Sequence, residues 1–229
     1  MNIIDNNSLY KTLDNLNQLF LRKEFISLSD RKNTARWISD RQGLKGSYTD
    51  MFAPTDSDFK EIKLFTGDKL TSKASIAHIL GEESLRALYL LDVKDRKIQD
   101  AFDKARSGIK NVLKRNYEAG IYPDGTFCCG KCTAALWRNL SAEGVNKNKK
   151  SLESGIKHLK SFRDGKGKYS RFPFFYTVLA LSDIDLPAAK AEIEYCSGLL
   201  RKYVKRKEKN EIYTERKKII AENALEMIS

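Results

Sequence analysis

Apolar side chains in this chain recur at helical spacing and at almost no other, which restricts the fold more than any other feature. Leu9, Leu13, Leu16 and Phe20 form a stripe behind an Asn7 or Ser8 cap. Ile76, Leu80, Leu88 and Leu91 repeat it after Ser72, and Ile98, Phe102, Ala105, Ile109 and Val112 form a third. Ala189, Ile193, Cys196, Leu200 and Tyr203 follow Pro187, whose ring suits a first helical turn. A further helix is predicted near 219–228. No segment sustains a period of two, and the 229 residues include only four prolines, so an all-α fold is expected. With 41% hydrophobic and 31% charged residues, the chain has the balance of a folded protein.

An internal repeat organises these helices. Three segments share one spacing, in which a bulky residue and a variable one precede Gly-x-aromatic at intervals of four: Ile38, Gln42, Gly46, Tyr48; Tyr117, Ile121, Gly125, Phe127; and Leu159, Arg163, Gly167, Tyr169. Each leads into a predicted helix, at 72–91, 131–143 and 171–182. The interval from Phe127 to Tyr169 is 42 residues, and that from Tyr48 to Phe127 is 79, close to two such periods. A chain that ends one helix and reverses needs a residue tolerant of positive φ, hence glycine, and an aromatic two residues later can anchor the turn. Stacked hairpins then bury the faces their neighbours expose. The expected organisation is a helical-hairpin domain over 1–205 and a basic helical appendage over 206–229.

The stretch from Trp37 to Tyr48, with Gln42, Gly46 and Tyr48, resembles the Gln-x3-Gly-x-Trp repeats of squalene and terpenoid cyclases, with Tyr in the Trp place. Asp124-Gly125-Thr126-Phe127 resembles their Asp-Gly-Ser-Trp turns, and Gly165 to Tyr169 is a weaker match. The resemblance covers roughly 33–185. It implies an α/α toroid, the architecture shared with protein prenyltransferase β subunits, in a partial or open form. A full ring uses about six hairpins, and this chain has room for about four or five. The cyclase acid motif is incomplete at Asp56-Ser57-Asp58 and Asp183-Ile184-Asp185, and the prenyltransferase zinc set has no match. Fold likeness alone assigns no chemistry.

Several residues are candidates for function. In a toroid the post-turn helices open onto a central pocket, which nominates His78, Glu82, Cys132, Trp137, Phe172 and Tyr176 for a small organic, apolar or isoprenoid-like ligand. His78 and Glu82 share a helix face, with Glu83 beside them, as a metal pair or a general base held by a carboxylate. Cys128, Cys129 and Cys132 have spacing that suits zinc or thiol chemistry, with Cys196, His78 or His158 as a fourth ligand. No cofactor other than zinc is implied. The segment from Ser47 to Thr71 is the longest irregular one, a lid or binding loop whose Asp56, Asp58 and Asp68 are by default solvated. His-Glu-x-x-His, phosphate-binding glycine loops and nucleophile elbows are absent.

Charge adds a second function class. The net charge of +12 is local: residues 1–146 carry 23 basic and 19 acidic side chains, 147–171 nine and two, and 201–218 nine and three. The stretches Lys147 to Arg171, read as an inter-helix segment, and Arg201 to Lys218 form basic patches for nucleic acid or an acidic protein. No sequence-specific nucleic-acid motif accompanies them. The polar opening Met1 to Tyr10 and the few cysteines suggest a reduced, cytoplasmic protein without a membrane span. An open hairpin edge suggests a homodimer.

Overall fold

The computed structural model describes residues 2–60, 62–206 and 211–229. It is all-helical: among the described residues there are nine α-helices and a short 3₁₀ turn, with isolated bridges but no strand. The chain divides into two units, one formed by Met1–Lys63 and Lys69–Ile121, the other by Leu64–Asp68 and Tyr122–Ser229.

The first unit holds α1 (Leu9–Leu21), α2 (Leu28–Ser39), α3 (Lys73–Leu91) and α4 (Arg96–Glu118). Ser8, Ser27, Ser72 and Asp95 begin these helices, each accepting a backbone N–H that the first turn leaves without a helical partner. Helix α1 packs on α3 and α2 on α4, while α3 also meets α2 and α4. Every residue from Ile76 to Leu88 of α3 is buried, so no face of this stretch is left to water. Helix α4, by contrast, buries one stripe, Ile98, Ala105, Ile109 and Val112, and leaves the rest polar.

The long connection before α3 is irregular as expected, yet it is not a mere cover. Met51, Phe52 and Ala53 are buried in the core, as are Ile62 and Leu70. The default reading of Asp58 as solvated is wrong. Its carboxylate is buried and accepts Ser8 Oγ (2.6 Å), Leu9 N (3.0 Å), Tyr10 N (3.2 Å) and Thr55 N (2.8 Å). It therefore caps α1 across about 50 residues of sequence, and fixed donors supply what water would have given it.

The second unit holds α5 (Gly130–Gly144), α6 (Lys149–Lys160), α7 (Phe174–Ser182), α8 (Pro187–Val204) and α9 (Ile212–Glu226). Helix α5 packs on α7 and α6 on α8; α5 also meets α6, and α9 lies against both α7 and α8. Here too an inner helix is apolar all round, since Tyr176 to Leu181 of α7 are buried. The inter-helix reading of 147–171 needs correction, because twelve of these residues form α6. Leu152, Ile156 and Leu159 supply its buried stripe, which the surrounding lysines mask in a composition-based reading. Helix α9 belongs to this unit, and residues 207–210 of the second basic patch lie outside the described residues.

Candidate dithiol site at the start of helix α5

The turn from Asp124 to Cys129 is built from the α5 side and held from the α6 side. Gly125 and Gly167, like Gly46 in the first unit, adopt positive φ (71°, 86° and 95°), as the repeat requires. Trp137 Nε1 donates to Gly125 O at 2.7 Å. A Cβ on Gly125 would strike Ser151 O and lie 2.8 Å from Gly155 N, so turn and helix meet backbone to backbone. Thr133 Oγ1 accepts from Phe127 N (3.0 Å) and donates to Phe127 O (2.8 Å), fixing Phe127 within the turn. Phe127 is buried below it.

This scaffold presents three thiols. Cys128 takes the left-handed conformation (φ 39°), and the extended Cys129 forms the N-cap of α5. Cys128 and Cys129 are exposed, whereas Cys132 is buried one turn into the helix. The Cys129 and Cys132 sulfurs are 3.7 Å apart. Between them, Gly130 lies against Arg171 O and the Phe172 ring, where any Cβ would clash. Phe172 stacks on Trp137 (6.1 Å between ring centroids) and leans on Phe162 (5.6 Å), forming an aromatic floor.

The electrostatics separate the two thiols. Cys129 is lowered to about 5, chiefly by the hydrogen bond from Cys132, with help from the Cys132 and Lys131 backbone N–H groups and the Lys131 charge, against an opposing burial effect. Cys132 is raised because it donates to Cys129 and is buried. Cys128 is raised, first by burial and then by the neighbouring Cys129 charge. The result is an accessible thiolate backed by a protonated thiol.

Trp137, Tyr176 and His158 make packing contacts, and Cys196 a hydrogen bond. His78 and Glu82 are buried on α3 in the first unit, where His78 meets the Tyr48 ring (3.7 Å between centroids) and burial lowers its pKa to about 4. Trp137 and Tyr176 are buried in the second unit; Arg138 lies over the Tyr176 ring at 5.7 Å and pairs with Asp183 at 3.0 Å. Cys196, considered as a fourth zinc ligand, instead sits 3.4 Å from Tyr169 OH, beside a buried Glu192 that pairs with Arg163. The His158 ring packs on Phe162 at 5.1 Å. A groove of about 530 Å³ at the end of α3, lined by Tyr89, Val93, Phe102 and Arg106 among others, contains none of the nominated side chains.

Sequence reasoning finds the cysteine cluster but not the parts that tune it, namely Gly130, Lys131, Thr133 and Arg171. The spacing Cys129-Gly130-Lys131-Cys132 at a predicted helix start is the available signal for the first three. Arg171 is brought in by the fold. No helix among the described residues is long and apolar enough to cross a membrane. No protein-family model, curated protein or solved structure matches the chain.

Proposed function

We propose that the chain carries a redox-active dithiol, Cys129 and Cys132, that exchanges electrons with a disulfide. The observation that carries this reading is the pairing of an exposed, acidified Cys129 with a buried Cys132 whose sulfur lies 3.7 Å away at a helix N-terminus. Cys129 thiolate attacks one sulfur of the partner disulfide, forming a mixed disulfide and expelling the other sulfur as a thiolate. Cys132 then loses its proton to that leaving thiolate and attacks Cys129. The partner leaves as a dithiol, reduced by two electrons, while the Cys129–Cys132 pair is oxidised to a disulfide. A thiol reductant closes the cycle. A low pKa stabilises the reduced form, so the pair is expected to be more oxidising than a structural disulfide, less negative than about −300 mV.

The preference over the small-organic-ligand reading is physical. Trp137 and Tyr176 are taken up by packing, whereas Cys129 reaches solvent. Zinc remains the chemical competitor, since three thiols at one helix start are a soft donor set. The toroid-like hairpin stack is carried with the proposal, supported by the packing of α1 on α3 and α2 on α4 in one unit and of α5 on α7 and α6 on α8 in the other. A reducing compartment such as the cytoplasm is the proposed place of work.

The test is equilibration of the chain in graded glutathione redox buffers, read by mass spectrometry. A fall of about 2 Da, lost in both Cys129→Ser and Cys132→Ser, is expected, with Cys132→Ser accumulating the mixed disulfide. Stoichiometric zinc uptake with no disulfide under oxidising buffers would replace this reading with a metal site.

A further inference from the structure

We infer that the disulfide served by this dithiol belongs to an acidic polypeptide, which docks along a basic ridge on helix α6 that ends at Arg171; this rests on the dithiol reading above. The ridge follows from helical geometry. Lys150 and Lys157 lie seven residues apart on the side of the helix away from the buried Leu152, Ile156 and Leu159, and Lys160, the last residue of the helix, flanks that side next to Ile156; all three are exposed. At a rise of 1.5 Å per residue they span roughly 15 Å.

The ridge continues toward the thiols. Phe162 follows Ser161, the C-cap of α6, and its carbonyl accepts Ser170 N at 2.9 Å, which brings the far side of the turn back to the helix end. The Arg171 guanidinium lies over the Phe162 ring at 5.8 Å, and the Arg171 carbonyl abuts Gly130 between the two cysteines. Lys166 and Lys168, both exposed, border the same turn. The acids of this stretch do little to offset the charge. Glu153 is paired with Lys149 at 3.8 Å, while the exposed Asp164 accepts the Lys166 and Lys168 N–H groups (2.8 and 2.9 Å) and the Tyr195 hydroxyl (3.1 Å).

Two arguments select the partner. A ridge of this length offers several separated cations, more than a low-molecular-weight disulfide can meet at once, so it fits an extended acidic segment. Nucleic acid would satisfy the same charges, but it brings no disulfide to the thiolate at which the ridge ends.

The experiment uses the full reduced chain and two synthetic peptides, each with one internal disulfide, flanked by glutamates in one and by lysines at the same positions in the other. Exchange rates are measured at about 0.02 M and about 0.5 M salt, with neutral 2,2′-dithiodipyridine as a control. The acidic peptide is expected to react about tenfold faster than the basic one at low salt, with the gap closing at high salt. The triple variant Lys150→Gln, Lys157→Gln, Lys160→Gln is expected to remove most of that preference, and circular dichroism checks that it is folded. Equal rates for the two peptides, with the neutral disulfide still reacting, would overturn the ridge and leave the dithiol intact. Failure of the neutral disulfide to react would remove the dithiol and the ridge proposal with it. Displacement of the acidic peptide by a more tightly bound single-stranded oligonucleotide would reassign the ridge to nucleic acid.

Discussion

Cys129 and Cys132 begin as the same thiol, and three residues of helix set them apart. Cys129 gains N–H donors at the first turn and a donating neighbour, while Cys132 gains burial and an anion beside it. Because Cys129 falls from an ordinary 9.0 to about 5, its thiolate form is favoured by folding. Its contribution to stability is therefore present in full above the ordinary value and is lost as pH falls towards about 5. Iodoacetamide alkylation followed at Cys129 by mass spectrometry should rise through a midpoint near pH 5 and then level off. Cys132→Ala should move that midpoint upward by removing its largest cause. A midpoint near the ordinary value in the unmodified chain would show that the cap geometry does not acidify the thiol. Asp58 shows the opposite use of a buried charge: four donors converge on a carboxylate whose work is to join α1 to the turn at 55–59.

At the level of elements, the three glycine turns share a backbone conformation but differ in what surrounds them. A Cβ on Gly46 would meet nothing within 4 Å, whereas Gly125 is closed in by the backbone of α6. Gly46→Ala is therefore expected to cost about 1 kcal/mol, the left-handed penalty alone. Gly125→Ala adds a backbone collision and should cost about 3 kcal/mol or more. Chemical denaturation of the two variants separates the cases, and equal losses would mean that the contact between the turn and α6 yields freely. The repeat is not uniform in its other positions either. Ile38 and Leu159 are buried, but Tyr117 in the equivalent place is 58% exposed, since α4 has already left the core there.

Across the whole chain, the net charge of +12 is concentrated in two stretches, so repulsion between like charges opposes folding most strongly at low ionic strength. Raising salt from about 0.02 M to about 0.2 M should increase the melting temperature by a few degrees, as read by circular dichroism. A flat or falling midpoint would show that ion pairs such as Arg163–Glu192 and Arg138–Asp183 outweigh the general repulsion. Helix α9 supplies the second unit with buried Ile220, Ala221 and Ala224, and Arg216 lies 4.0 Å over the Phe65 ring while donating to the Phe65 carbonyl. The late basic stretch is thus in part a core element, a role its charge hides.

Helix identity was legible because it depends on neighbours three and four residues away, as with Leu9 to Phe20 behind Ser8, Ser72 before α3, and Pro187 at the start of α8. The turn glycines were legible for the same reason, since positive φ is a local demand. The cysteine cluster was visible as spacing, but spacing does not distinguish zinc from redox chemistry. The packing of α3 on all sides, the burial of Asp58, and the approach of Arg171 to Gly130 depend on segments far apart in the chain. Local sequence is therefore enough to specify the helices, their ends and the places where the chain turns. Which thiol is acidic and which charge is buried follow from the folded arrangement alone, because burial and electrostatic environment are set by what the fold brings near each group, and no local pattern encodes that.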